Sequence, residues 1–189
     1  MKIVGMGGTT RAGSSSERSI EAVLGEAAAL SAQTRMFGGT ALASLPHYAP
    51  EKQERSNAHR EFLEALRAAD AIVMESPRYR GGISGLVKNG INLLENTRDD
   101  PRACFENMPI GLIVSAAGWK AGGVTRVALR GVVHAMRGWL TPLGISVKPV
   151  VPRLFDVDGL IDAGTDNAVA LQARRPMNFG AYRTERGVA

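Results

Sequence analysis

Two stretches of small residues carry the groups best suited to chemistry. The first, Gly7-Gly8-Thr9-Thr10-Arg11-Ala12-Gly13-Ser14-Ser15-Ser16, mixes glycine, hydroxyl side chains and one guanidinium. Small residues let backbone N–H groups approach an anion, the hydroxyls add donors, and a helix opening at the serines turns its positive end inward. A phosphate is the ligand this composition fits. The second, Ser76-Pro77-Arg78-Tyr79-Arg80-Gly81-Gly82-Ile83-Ser84-Gly85, sets two arginines and a tyrosine in a glycine-rich turn. Each stretch follows an apolar run and precedes a helix-period segment, which in an open parallel sheet places both at the crevice beyond the carboxyl ends of the first and third strands.

Other chemistries fail on residue type or spacing. Gly5-x-Gly7-x-x-Thr10 lacks the third glycine of a dinucleotide fingerprint, and Met36-Phe37-Gly38 offers no ribose-binding carboxylate. No Gly-Lys-Ser/Thr is present, which excludes an ATP-type P-loop. Gly82-Ile83-Ser84-Gly85 approaches a hydrolase elbow, but Leu86 stands where its last glycine belongs. His47, His59 and His134 are dispersed and Cys104 is the only cysteine, so neither a metal site nor an internal disulfide is expected. The net charge of +5 comes from scattered arginines, and only 5% of the residues are aromatic. That pattern fits an enzyme taking anionic substrates better than a nucleic-acid binder. Ile3-Val4-Gly5-Met6 is too short for a signal-peptide core and no run reaches membrane-spanning length, so a cytoplasmic protein with no membrane partner is expected.

The elements that must position these loops alternate as repeated βα units. Strands are expected over Lys2–Gly7, Gln33–Phe37, Asp70–Ser76, Pro109–Ser115 and Ser146–Val151. Ser14, Ser15 or Ser16 caps a first helix with Ile20, Val23, Leu24 and Ala27 on one face and Glu17 in its first turn. A second helix buries Phe62, Leu63 and Leu66, and a third spans Leu86–Glu95. A fourth, from about Gly123 to Leu140, repeats Val124, Val127, Ala128, Val132 and Met136, with Arg126, Arg130, His134 and Arg137 near another stripe. After Phe155 the chain shows little periodicity.

With Ser115-Ala116-Ala117-Gly118-Trp119 before the long helix, and Lys88-Asn89 after the second loop, these motifs resemble the three loops of the NADPH-dependent FMN reductase family. The resemblance spans about residues 2 to 155. It implies an α/β, flavodoxin-like, doubly wound five-stranded parallel sheet with helices on both faces. Residues 1–155 would be the FMN-binding domain, and 156–189 a C-terminal extension or oligomer arm of it. The implied cofactor is FMN, reduced by NADPH or NADH, with a free flavin, quinone, azo compound or other small acceptor taking the electrons.

Carried over residue by residue, Thr9, Arg11, Ser14, Ser15 and Ser16 would hold the FMN phosphate. Pro77, Arg78, Tyr79, Arg80, Gly81 and Gly82 would back the flavin, and Ser115, Ala116, Gly118 and Trp119 would approach its pyrimidine edge. No acid or base is obligatory in such chemistry; Tyr79 and Arg80 would shape the site. Arg78 and Arg80 depart from the family pattern, which usually has non-cationic residues there. The resemblance also implies a homo-oligomer, dimer or tetramer. The readings left open beside it are a flavodoxin-type electron carrier and a non-redox binding protein of the same fold.

Overall fold

The computed structural model describes residues 1–52, 56–116, 119–148, 155–156, 159–160 and 163–186, apart from the side chains of 119–121, 156, 159–160 and 180–186. In chain order the elements are β1 (Lys2–Met6), α1 (Ser15–Ala29), β2 (Gln33–Phe37), α2 (Gly39–Ala43), α3 (Asn57–Ala68), β3 (Ala71–Pro77) and α4 (Gly85–Leu93). A 3-10 turn (Leu94–Thr97) leads to β4 (Pro109–Ser115), α5 (Trp119–Ala135), β5 (Trp139–Val147), β6 (Phe155–Asp156), β7 (Gly159–Leu160) and α6 (Ala163–Arg186). Five strands form a parallel sheet in the order β2-β1-β3-β4-β5, while β6 and β7 pair as a short antiparallel ribbon. That order is the flavodoxin-like one, with its switch point between β1 and β3.

Alternation along the central strands divides the core in two. Val4, Met6, Ile72, Met74, Ile110, Leu112 and Val114 pack under α2, α3, α4 and α5, with Leu42, Phe62, Ile91 and Leu129. Ile3, Ala71, Val73 and Ile113 pack under α1 and α6, with Ile20, Val23, Val169 and Ala173. β3 and β4 are buried at every position, as strands covered on both faces must be.

The last third of the chain corrects several expectations. The long helix stops at Ala135 instead of reaching Leu140, because Arg137 takes a left-handed φ of 66° and Trp139 onward pairs with β4. The fifth strand is therefore Trp139–Val147, not Ser146–Val151; residues 149–151 lie outside the described residues. The buried face of α5 is Gly122, Thr125, Leu129 and Val133, so Val124 and Val127 point outward at 58% and 68% exposure. Arg126 donates to the Gly144 carbonyl at 3.0 Å. The segment after Phe155, expected to be an extension or oligomer arm of little periodicity, contains α6, which lies against α1 and β5.

One contact shows why α6 belongs there. β5 bulges where Ile110 pairs with Leu140 but Leu112 with Gly144, which leaves ladder groups open around Pro142. The fully buried Gln172 of α6 reaches in, its amide donating to the Leu143 carbonyl at 2.9 Å and accepting from the Leu112 N–H at 2.8 Å. Gly111 makes room, since a Cβ there would stand 2.1 Å from that amide. A buried polar side chain is tolerated when it satisfies backbone groups of this kind.

Candidate active site

The loop after β1 is shaped by its neighbours in the sheet. Gly7 and Gly8 adopt φ of 150° and 102°, and a Cβ on Gly7 would lie 2.3 Å from the Glu75 carbonyl oxygen. Only glycine fits where β1 turns over the end of β3. The Gly8 N–H donates to Glu75 Oε2 at 3.0 Å, and the Gly7 N–H to the Phe37 carbonyl at 3.2 Å. Ser14 caps α1 by accepting from the Glu17 N–H at 3.3 Å. The Glu17 carboxylate bridges two segments, accepting from Gly13 N–H at 3.2 Å and Gly39 N–H at 3.0 Å. Within the turn, the Arg11 N–H donates to Thr9 Oγ1 at 3.2 Å.

The expected phosphate ligands are thus gathered at the N-terminus of α1, but on two levels. Thr9, Arg11 and Ser15 lie on the accessible side, whereas Ser14 and Ser16 are 2% exposed. The Ser16 hydroxyl faces Glu75.

After β3, Pro77 is buried and the chain then turns outward. Tyr79 and Gly82 exchange backbone hydrogen bonds at 3.3 and 3.0 Å, closing a tight turn in which Arg80 and Gly81 take φ of 50° and 94°. Such a turn needs positive φ at both central residues, a conformation glycine adopts freely and arginine only at some cost. Ser76 ties the base of the turn: its hydroxyl donates to the Pro77 carbonyl at 3.0 Å and accepts from the Ser84 N–H at 2.9 Å. Arg78, Tyr79 and Arg80 all reach solvent, Tyr79 being 53% exposed.

The third loop is bound to the second at its start. The Arg78 N–H donates to the Ser115 carbonyl at 2.9 Å, and the Ala116 N–H to the Val147 carbonyl at 3.0 Å. Ser115 and Ala116 therefore lie at the same sheet edge as Pro77. Gly118 lies outside the described residues, as does the side chain of Trp119 at the start of α5.

Three guanidiniums, of Arg11, Arg78 and Arg80, stand on these loops without an ion pair among the described residues. Guanidiniums left unneutralised favour an anionic ligand.

Sequence reasoning missed Glu75, Glu17's bridging role and Ser76's staple. Glu75 is 0% exposed and follows directly on the apolar run Ala71–Met74 of β3. Burial pushes its carboxyl up to about 7, against the lowering effect of the Ser115 and Ser16 hydroxyls and the Gly8 N–H. A charged residue ending a run that must be covered on both faces was the available signal.

The model of the family described as NADPH-dependent FMN reductase matches residues 1–148. An NADPH azoreductase of Bacillus sp. (strain OY1-2) is 26% identical over 121 residues, 64% of this chain and 59% of that one. An NAD(P)H-dependent FMN reductase of Pseudomonas aeruginosa is 27% identical over 122 residues, 62% and 61% of the two chains. The chain thus spans about three-fifths of the length of these relatives. Among solved structures, a flavoenzyme NAD(P)H:acceptor oxidoreductase of Paracoccus denitrificans superimposes with a TM-score of 0.79 at 15% identity, covering 96% of this chain and 97% of the other.

Proposed function

The chain belongs to the NADPH-dependent FMN reductase family, and on that premise we propose that it is an FMN-dependent NAD(P)H oxidoreductase passing electrons to a small acceptor. The observation that carries this reading is the convergence, at one sheet edge, of a serine-capped glycine loop and a turn bearing arginines that have no ion pair among the described residues. Bound FMN would supply the hydride chemistry itself.

The protein's own tasks are binding, orientation and exclusion of water. Thr9, Arg11 and Ser15, with the N-terminus of α1, would hold the phosphate, and Ser14 and Ser16 support them from within. Pro77, Tyr79, Gly81 and Gly82 would form the wall against the flavin rings, with Ser115 and Ala116 at the pyrimidine edge. Arg78 and Arg80 would grip the 2'-phosphate or pyrophosphate of NADPH, or an anionic acceptor. Because the reductant is an intracellular nucleotide, a cytoplasmic setting is part of the proposal. Among the described residues no helix is long and apolar enough to cross a membrane.

We also propose that the protein works as a homo-oligomer. Val124 and Val127 expose apolar surface on α5, and Val132 of the same helix lines, with Met136 and Ile91, a cleft of about 450 Å³. Two-fold dimers are the commonest soluble assembly that covers such a face. Light scattering at micromolar concentration should return at least a dimer mass.

The visible spectrum of the purified protein tests the main reading. Flavin absorbance that bleaches rapidly on anaerobic NADPH addition is the expected result. Absorbance that NADPH does not bleach would instead mark an electron carrier, and a colourless protein that FMN cannot restore would end the flavin assignment.

A further inference from the structure

Beneath the anion loop lies a carboxyl group that flavin chemistry does not require. Alternation along β3 sends Ala71, Val73 and Glu75 to the α1 and α6 face. The first two enter the apolar core; the third is an acid with no exposure at all. Its Oε2 accepts from Gly8 N–H at 3.0 Å. Oε1 and the Ser115 hydroxyl oxygen each lack a hydrogen bond of good geometry, although the Ser115 and Ser16 hydroxyls stand close enough to act on the carboxyl.

We propose that Glu75 is a positioning residue for the cofactor phosphate: it holds Gly8 from below and takes up a proton when a phosphomonoester settles on the loop, coupling FMN affinity to pH. This rests on the cofactor reading above. A phosphate brings nearly two negative charges at neutral pH to a loop whose underside is fastened to a carboxylate. The like charges disfavour each other across a poorly hydrated layer, and protonating Glu75 relieves them. The acid form keeps the Gly8 contact through its carbonyl oxygen, while its new O–H has the unpartnered Ser115 oxygen to donate to. Burial, outweighing the hydrogen bonds from Gly8, Ser16 and Ser115, has already brought the carboxyl to about 7, so the proton comes from solvent within the physiological range.

Among the described residues, Glu17 is the other carboxyl at this loop. From α1 come Ser16 and Glu17, the latter held by Gly13 and Gly39 N–H groups. Arg18 of the same helix reaches away to Phe155. Arg11 in the loop and Arg78 after β3 are exposed, β4 presents Ser115, and the buried positions Val169, Gln172 and Ala173 of α6 carry no charge. No charged side chain contributes to the shift at Glu75.

Titration calorimetry of the flavin-free protein, run at pH 7.5 in two buffers of different ionisation enthalpy, counts the protons taken up. FMN should take up a measurable fraction of one proton and riboflavin none. FMN affinity should fall by up to about tenfold per pH unit above pH 7, where the phosphate's own second ionisation, near 6, is complete. In Glu75→Gln the uptake and the slope should both vanish while FMN still binds. Equal uptake with both flavins, or a wild-type slope in Glu75→Gln, would overturn the role of Glu75 and leave the cofactor assignment standing. Failure of the wild-type protein to bind either flavin at any pH would overturn the assignment, and this inference with it.

Discussion

The loop after β1 and the turn after β3 leave the carboxyl ends of adjacent parallel strands but are held in opposite ways. The first is fastened from beneath and beside, by Glu75 to Gly8 and by Glu17 to Gly13 and Gly39. The second closes largely on itself, through the Tyr79 and Gly82 backbone pair and the Ser76 hydroxyl, and its side chains stand in solvent. A site that must keep a phosphate benefits from donors fixed in advance, because no ordering cost then falls on binding. A site that must admit and release a second substrate benefits from exposed groups with no partner to give up. On the proposed function, the contrast would separate an end that retains the cofactor from an end that exchanges substrates.

Breaking the braced loop should have the largest effect. Gly7→Ala adds a Cβ where the Glu75 carbonyl oxygen already stands at 2.3 Å, at a φ that alanine rarely adopts. A loss of about 3 kcal/mol or more in urea-denaturation stability is expected, with FMN retention falling alongside it. A stable Gly7→Ala protein would mean that the loop is less tightly set than its geometry implies.

Glu75→Gln tests the brace from the other side. The folded-state carboxyl is raised from 4.5 to about 7, so its favourable contribution is complete below about 4.5, fades as pH rises, and is gone above about 7. Relative to wild type, Glu75→Gln should therefore gain up to about 3 kcal/mol between pH 4.5 and pH 8. Parallel stability curves for the two proteins across that range would show that the acid does not titrate there.

Arg11→Ala asks whether the braced end holds phosphate. FMN affinity should drop roughly tenfold to a hundredfold, the value of a charged hydrogen bond, with riboflavin little affected. Equal losses for both flavins would place Arg11 away from the phosphate. At the exchanging end, Arg78→Ala and Arg80→Ala should leave stability within about 0.5 kcal/mol, as exposed and unpaired side chains do. Their effect should appear in stopped-flow reduction by NADPH more than by NADH, or else only in reoxidation by an anionic acceptor. Unchanged rates in both half-reactions would remove these arginines from the site.

Most of the first three βα units, and β4 after them, was legible because burial and hydrophobicity coincide there. Ile20, Val23, Leu24 and Ala27 fall on the buried face of α1, and Pro109–Ser115 is the observed strand β4. In the last third they part. The buried positions of α6 include Val169, Gln172, Ala173 and Pro176, which keep helical spacing but are small or polar, so no apolar stripe announces them. On α5 the conspicuous valines at 124 and 127 face outward while Thr125 is buried, the reverse of what hydropathy implies.

What the sequence by itself determined is the βα alternation, the two glycine-rich loops and the serine cap of α1, all of which follow from local propensity and short-range spacing. Only the tertiary structure decided where β5 begins, which face of α5 is buried, and that Gln172 belongs in the core. Those outcomes depend on pairing and packing between segments far apart in the chain: Trp139 aligned on Pro109, Arg126 on Gly144, and a glutamine amide filling a strand bulge above Gly111. Glu75 belongs with them. Its identity is local, but its buried environment and its hold on Gly8 arise only where β1, α1 and β4 close around the end of β3.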